Sequence, residues 1–156
     1  MSYVFDTNAF SVLFSSYYKN RFPSLWIKFD RLVISGDITS TREVLEEINV
    51  SPVPEMVEWA SNHKGLFPTP TKEEAIFVRT IFQHEHFQQI IEKKKLLKGG
   101  RNADPFIIAR AKILKFTVIT MEKERDNGAK IPNICRRFDI PCNSLERFME
   151  LEGWEF

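Results

Sequence analysis

A short, unbroken β-branched run, Lys115-Phe116-Thr117-Val118-Ile119-Thr120, lies between two stretches with helical spacing. A strand that short, apolar at consecutive positions, has no wet face and belongs inside a parallel sheet covered by helices. A similar strand opens the chain at Tyr3-Val4-Phe5 and ends on Asp6. Asp37-Ile38-Thr39 is a shorter second strand, and Ile140-Pro141-Cys142 suits a final strand at an edge, where proline is tolerated. Strands alternate with helical segments along the chain. That order predicts an α/β fold, a three-layer sandwich with a small central parallel sheet flanked by helices. At 156 residues, one domain spanning 1–156 is expected.

The helical segments carry their own punctuation. A helix from Ala9 to about Tyr18 follows Asp6, and capping it is one sufficient role for that carboxylate. Pro23 opens a second helix, with Leu25, Trp26, Phe29, Leu32 and Val33 at helical spacing. Gly36 suits the left-handed residue just past its end. Ser40-Thr41-Arg42-Glu43 has capping-box spacing, with Ser40 as N-cap and Glu43 reaching back. Glu47 shares the helical face of Glu43 one turn deeper and has no such local role. Leu66-Phe67-Pro68 reads as an edge strand or an extended loop. Thr71-Lys72-Glu73-Glu74 is a second box; the helix it opens carries Ala75, Ile76, Val78, Ile81 and Phe82, and Phe87 to Leu97 continues as helix. Asp104-Pro105 supplies an N-cap and a first helical residue for the apolar segment Phe106–Ala111. Pro132 to Phe138 is a short helix, and Asn143-Ser144-Leu145-Glu146 has the spacing that opens the last one.

With 22 basic and 21 acidic residues the formal net charge is +1, so any contact with a polyanion has to be local. Lys93, Lys94, Lys95 and Lys98 precede Gly99-Gly100-Arg101. This patch either complements a helix dipole or contacts phosphates beside a glycine hinge, and its setting before Asp104 favours the second. Cys135 and Cys142 form no C-x-x-C and follow no secretory pattern, so reduced, buried thiols and a cytoplasmic location are expected. No apolar run approaches the roughly 20 residues that span a bilayer, so no membrane partner is expected. His84 and His86 lie two apart on a helix, which points them in different directions and disfavours a shared metal ion; His63 is no better placed. The chain has no G-x-G-x-x-G, P-loop or G-x-S-x-G motif to support nucleotide binding or acyl transfer.

The acids occupy telling places. Asp6 ends the first strand, Glu47 projects from the helix after the second, Asp104 begins the helix feeding the central strand, and Glu122 lies just past that strand's end. All four can converge on one edge of the sheet, where open α/β folds place their ligands. Two carboxylates about 4 Å apart repel by about 4 kcal/mol at an effective dielectric of 20. Such a cluster persists only if protons or a divalent cation neutralise it. With oxygen donors and no His or Cys, the hard cations Mg²⁺ or Mn²⁺ fit best.

Four segments in this order resemble the PIN-domain family, the small metal-dependent nuclease fold found in many prokaryotic toxins of the VapC kind. They are Val4-Phe5-Asp6-Thr7-Asn8, Val44-Leu45-Glu46-Glu47-Ile48, Ala103-Asp104-Pro105-Phe106-Ile107-Ile108-Ala109-Arg110-Ala111 and Val118-Ile119-Thr120-Met121-Glu122. The lysine-rich segment before Asp104 and the ending from Pro132 to Cys142 are similar to a less-characterised branch of that family. The resemblance implies a PIN-like sandwich with Asp6, Glu47, Asp104 and Glu122 at the family's acidic positions and Asn8 and Thr120 as their polar neighbours. The last position is usually Asp in a T-x-D setting; here it is Glu122, with Glu124 or Asp126 as substitutes, and Glu43 competes with Glu47.

By that resemblance the protein is a metal-dependent endoribonuclease, the toxin of a toxin–antitoxin pair, with RNA as substrate, an antitoxin partner and often a homodimer. The four acids would hold one or two Mg²⁺ ions. Thr7, Asn8 and Thr120 would fix the carboxylates or contact the phosphate. Lys94, Lys95, Lys98 and Arg101, with Arg110 and Arg125 as weaker candidates, would hold the RNA backbone. The alternative is a non-catalytic RNA- or protein-binding module with a degenerate acidic site. A small-phosphate-ester hydrolase fits poorly, because an aspartyl nucleophile usually has a second Asp two residues on, and position 8 is Asn.

Overall fold

The computed structural model describes residues 1–100 and 102–156. Four short strands, β1 (Tyr3–Phe5), β2 (Ile38–Thr39), β3 (Thr117–Ile119) and β4 (Cys142–Asn143), form a wholly parallel sheet in the order β2-β1-β3-β4. Between them run α1 (Thr7–Ser16), α2 (Pro23–Ser35), α3 (Arg42–Asn49), α4 (Pro54–Ser61), α5 (Lys72–Phe82), α6 (Glu85–Leu97), α7 (Asp104–Leu114) and α8 (Ile131–Arg137), and α9 (Leu145–Leu151) follows β4. The chain steps one way from β1 to β2, then back past β1 to reach β3. With the right-handed crossovers that such units adopt, α1 and α2 fall on one face and α7 on the other, while α3 and α4 pack against α1.

Side-chain alternation along β1 agrees. Tyr3 and Phe5 meet Phe148 of α9 edge-on at 4.7 and 5.1 Å, and Phe5 also packs on Phe10 and Phe29. An aromatic layer continues outward through Trp59, Phe14 and Trp26. The opposite face is covered by α7, which packs on β1 and β3 and against α5. Its Ile107, Ile108 and Ala111 are buried, as the apolar sequence requires. One contiguous hydrophobic cluster joins both faces. The α/β architecture read from the sequence is therefore the observed one.

Several local details differ from the sequence reading. The N-cap of α3 is Thr41, whose hydroxyl accepts from the Val44 N–H (3.2 Å), while Ser40 donates its hydroxyl to the Phe5 carbonyl (2.7 Å). Glu43 therefore does not close a box; it is buried beside Arg42, with one carboxylate oxygen unpartnered among the described residues. Residues 64–66 form a 3-10 turn, and the segment beyond it is an extended loop: Ser40 and Arg42 donate backbone bonds to the carbonyls of Leu66 and Pro68. The helical run from Lys72 to Leu97 is broken near His84, which caps a separate α6. Ser144, not Asn143, caps α9. Cys142 is half-buried rather than buried, and both thiols are free. No helix among the described residues is long and apolar enough to cross a membrane.

Candidate functional site

Chain direction reverses between β1 and β3: the connection after β1 leaves toward β2, and the one after β3 leaves toward β4. The crevice at the carboxyl ends of two such strands is the usual ligand position in an open parallel sheet. Phe5 pairs with Ile119, and the Asp6 N–H extends the ladder to the Ile119 carbonyl (2.9 Å). Asp6 and Thr120 are therefore neighbours at the mouth of that crevice. A cavity of about 410 Å³ opens there, lined by Asp6, Glu47, Asp104 and Glu122 together with Thr7, Asn8 and Lys98. Four carboxylates from four separate segments thus share one wall of the molecule.

Each is held differently. Asp6 caps α1 by accepting the Thr7 N–H (2.7 Å), and it also accepts the Thr120 hydroxyl (2.8 Å). The capping and site readings of Asp6 are thus compatible. Thr120 in turn accepts the Glu122 N–H (3.1 Å), and the Asn8 side-chain oxygen accepts the Met121 N–H (2.9 Å). Asn8 and Thr120 thereby fix the β3 exit against β1. Glu47 accepts the Thr7 hydroxyl (2.5 Å). Asp104 is not the N-cap of α7: it is the first helical residue, and the Asn102 side-chain oxygen accepts its N–H (3.1 Å). Its carboxylate is left free to face the cavity. Glu122 accepts the Ile131 N–H at the start of α8 (2.9 Å), a bond its longer arm can reach.

The counter-charges come from α6 and the residue that caps its end. Lys94 bridges Asp104 and Glu122, at 2.7 Å from the latter, and Lys98 lies 3.2 Å from Glu47. Both lysines were expected to face the substrate; both instead turn onto the acids. Lys95 is exposed, and Arg101 lies outside the described residues. Burial, with Asp104 next and then Glu122 and Glu47, pushes the Asp6 carboxyl up to about 7 against the opposing Thr120 hydrogen bond. Burial and Glu122 likewise raise Asp104 against the pull of Lys94. Burial would raise Glu122 too, but Lys94 and the Ile131 N–H outweigh it and hold its carboxyl below the ordinary range.

The competing candidates fall elsewhere. Glu124 pairs with Arg136 on the surface (2.8 Å), and Asp126 borders a neighbouring cleft with Lys93, Lys94, Arg125 and Lys130. Arg110 donates to Glu74 (3.1 Å) and Thr39 on the wall of a different cavity, so it locks α7 to α5 and β2 away from the acids. His63 stacks on Trp59, His84 stacks on Phe87, and His86 bonds the Asn127 carbonyl. What sequence reasoning missed is the direction of Lys94 and the part played by Asn102. The N-x-D spacing at 102–104 is a signal for the second, since an Asn side chain commonly bonds the backbone two residues on.

The donor set fits a hard cation: the carboxylates bring only oxygen, and burial with mutual repulsion makes them costly to leave uncompensated. In the lysine-paired arrangement, no three acidic, His or Cys side chains among the described residues are grouped to hold an ion.

A family model described as Domain of unknown function (DUF4411) matches residues 3–156. No curated protein matches the chain. Among solved structures, VapBC2 from Rickettsia felis, bound to a DNA fragment from their promoter, is similar with a TM-score of 0.49 and 12% identity, over 92% of this chain and 98% of that one.

Proposed function

This chain belongs to the family described as Domain of unknown function (DUF4411), and we propose that its acidic pocket hydrolyses RNA phosphodiester bonds with bound Mg²⁺ or Mn²⁺. The observation that carries this reading is the gathering of Asp6, Glu47, Asp104 and Glu122 at the switch point between β1 and β3. The PIN-like order of the same residues in the sequence supports it.

Asp6 and Asp104, the most deeply buried of the four, would be the principal ligands, with Glu47 and Glu122 completing the shell or orienting the attacking water. A bound divalent ion supplies charge stabilisation at the phosphate and a more acidic water. Thr120 and Asn8 keep Asp6 and the 120–122 turn in register, and Thr7 sets Glu47. Lys93, Arg125 and Lys130, around the adjacent cleft, would hold backbone phosphates, contacts that position a strand without choosing its sequence. An antitoxin that covers the pocket, and a homodimer, complete the toxin reading.

RNA cleavage in Mg²⁺ tests this, comparing wild type with Asp6→Asn and Asp104→Asn. Each substitution is expected to lower the rate by at least about a hundredfold. Equal cleavage by all three would remove the metal assignment. The lysine pairing of the acids favours a second reading, a non-catalytic RNA- or protein-binding module on the same scaffold. That module would retain RNA with no metal-dependent turnover.

A further inference from the structure

Lys94 in the last turn of α6 and Lys98, the residue that caps its end, stand four positions apart and project toward the same side. That side meets three of the four pocket acids: Lys94 takes Asp104 and Glu122, and Lys98 takes Glu47. The Lys94 side chain is 20% exposed, and its partners Asp104 and Glu122 are 3% and 14% exposed. A surface ion pair in this geometry would count for little, but removing one partner of a desolvated pair leaves an uncompensated buried charge. Asn102 ties the middle of α6 to the start of α7, donating to the Ile91 carbonyl and accepting from the Asp104 N–H. The lysines are therefore delivered to the acids by the fold itself.

We propose that Lys94 and Lys98 are tethered counterions of the acidic pocket, exchanged for a divalent cation when one enters. The inference rests on the ion-dependent reading of the pocket. An ammonium group and a divalent ion drawn to the same carboxylates carry like charges and repel at that range, so entry of the ion weakens the lysines' hold and drives them out. Without a divalent ion the two lysines hold the acids together and the site is inert. Once expelled, Lys94 joins Lys93, Arg125 and Lys130 in the adjacent cleft, whose wall it already borders. Ion loading and exposure of a phosphate-binding cation then become one event.

The test uses the full chain and Mn²⁺ alone. Calorimetry compares the wild type with Lys94→Ala, Lys98→Ala and Lys95→Ala, the last removing a lysine that pairs with no acid among the described residues. Mn²⁺ should bind Lys94→Ala about tenfold more tightly than wild type, a change of about 1.4 kcal/mol. Lys98→Ala should shift the same way by less, and Lys95→Ala should match wild type. On unsubstituted protein, acetylation followed by mass spectrometry should label Lys94 and Lys98 faster once Mn²⁺ is added. This second readout holds even if Lys94→Ala unfolds without an ion. Unchanged Mn²⁺ affinity in both variants, with unchanged labelling, overturns the exchange and leaves the ion site standing. Absence of Mn²⁺ binding in every variant overturns the ion site and the exchange together.

Discussion

Asp6 is buried among other carboxylates, and its titration follows from that position. Its carboxyl stands at about 7, raised by burial and by Asp104, against an ordinary value of 3.8. The folded state therefore holds a proton that the unfolded state releases near pH 4. The Asp6 contribution to stability is complete below pH 4 and is lost as pH rises through about 7. Asp6→Asn removes this dependence. Without divalent ions it should stabilise the protein by about 1–3 kcal/mol at pH 8 and by little at pH 4, measured by urea unfolding. Thr120→Val removes the hydroxyl that donates to Asp6 and accepts from the Glu122 N–H. It should cost about 1–3 kcal/mol in the same assay. At this scale the acids were legible because carboxylates at strand and helix ends are conspicuous. Lys94 was legible as a basic residue but not as a partner. Its contact with Glu122 spans 28 positions, and helical phase says nothing about what lies opposite.

Elements show where local rules suffice and where the tertiary fold overrides them. Gly36 ends α2 in the left-handed region (φ 81°), as its position after an apolar helical run foretold. Lys115 ends α7 in the same region (φ 60°), which no sequence signal marked. Gly36→Ala should destabilise by about 1 kcal/mol, with no steric clash to add, while Lys115→Gly should stabilise by up to about 1 kcal/mol. Thermal unfolding of the two variants reads both signs. Arg110 ties α7 to α5 through Glu74, so Arg110→Ala should cost about 3–5 kcal/mol of stability. The short strands were readable from apolar runs and the helices from their spacing. The caps of α3 and α9 each lay one residue along from their expected positions. Ser40 was claimed instead by the Phe5 carbonyl, a cross-strand demand invisible to local pattern.

For the molecule as a whole, the strand order β2-β1-β3-β4 brings the four acids into one cavity. Alternating strands and helices predicted the parallel sheet, but not that β1 and β3 would be adjacent. That adjacency places Asp6 beside Thr120 and Glu122, which lie more than a hundred residues away in the chain. The lysines that answer these acids come from the only strongly basic stretch of a chain whose net charge is +1. Pocket and counter-charge are thus one assembly, and its occupancy by a divalent ion is the central claim. A crystal structure of the protein soaked in Mn²⁺ tests it most directly through anomalous scattering. The account predicts a peak bound by carboxylate oxygens of Asp6 and Asp104, with the Lys94 ammonium withdrawn from Asp104. A map with no peak in the pocket, and Lys94 still bridging Asp104 and Glu122, would contradict it.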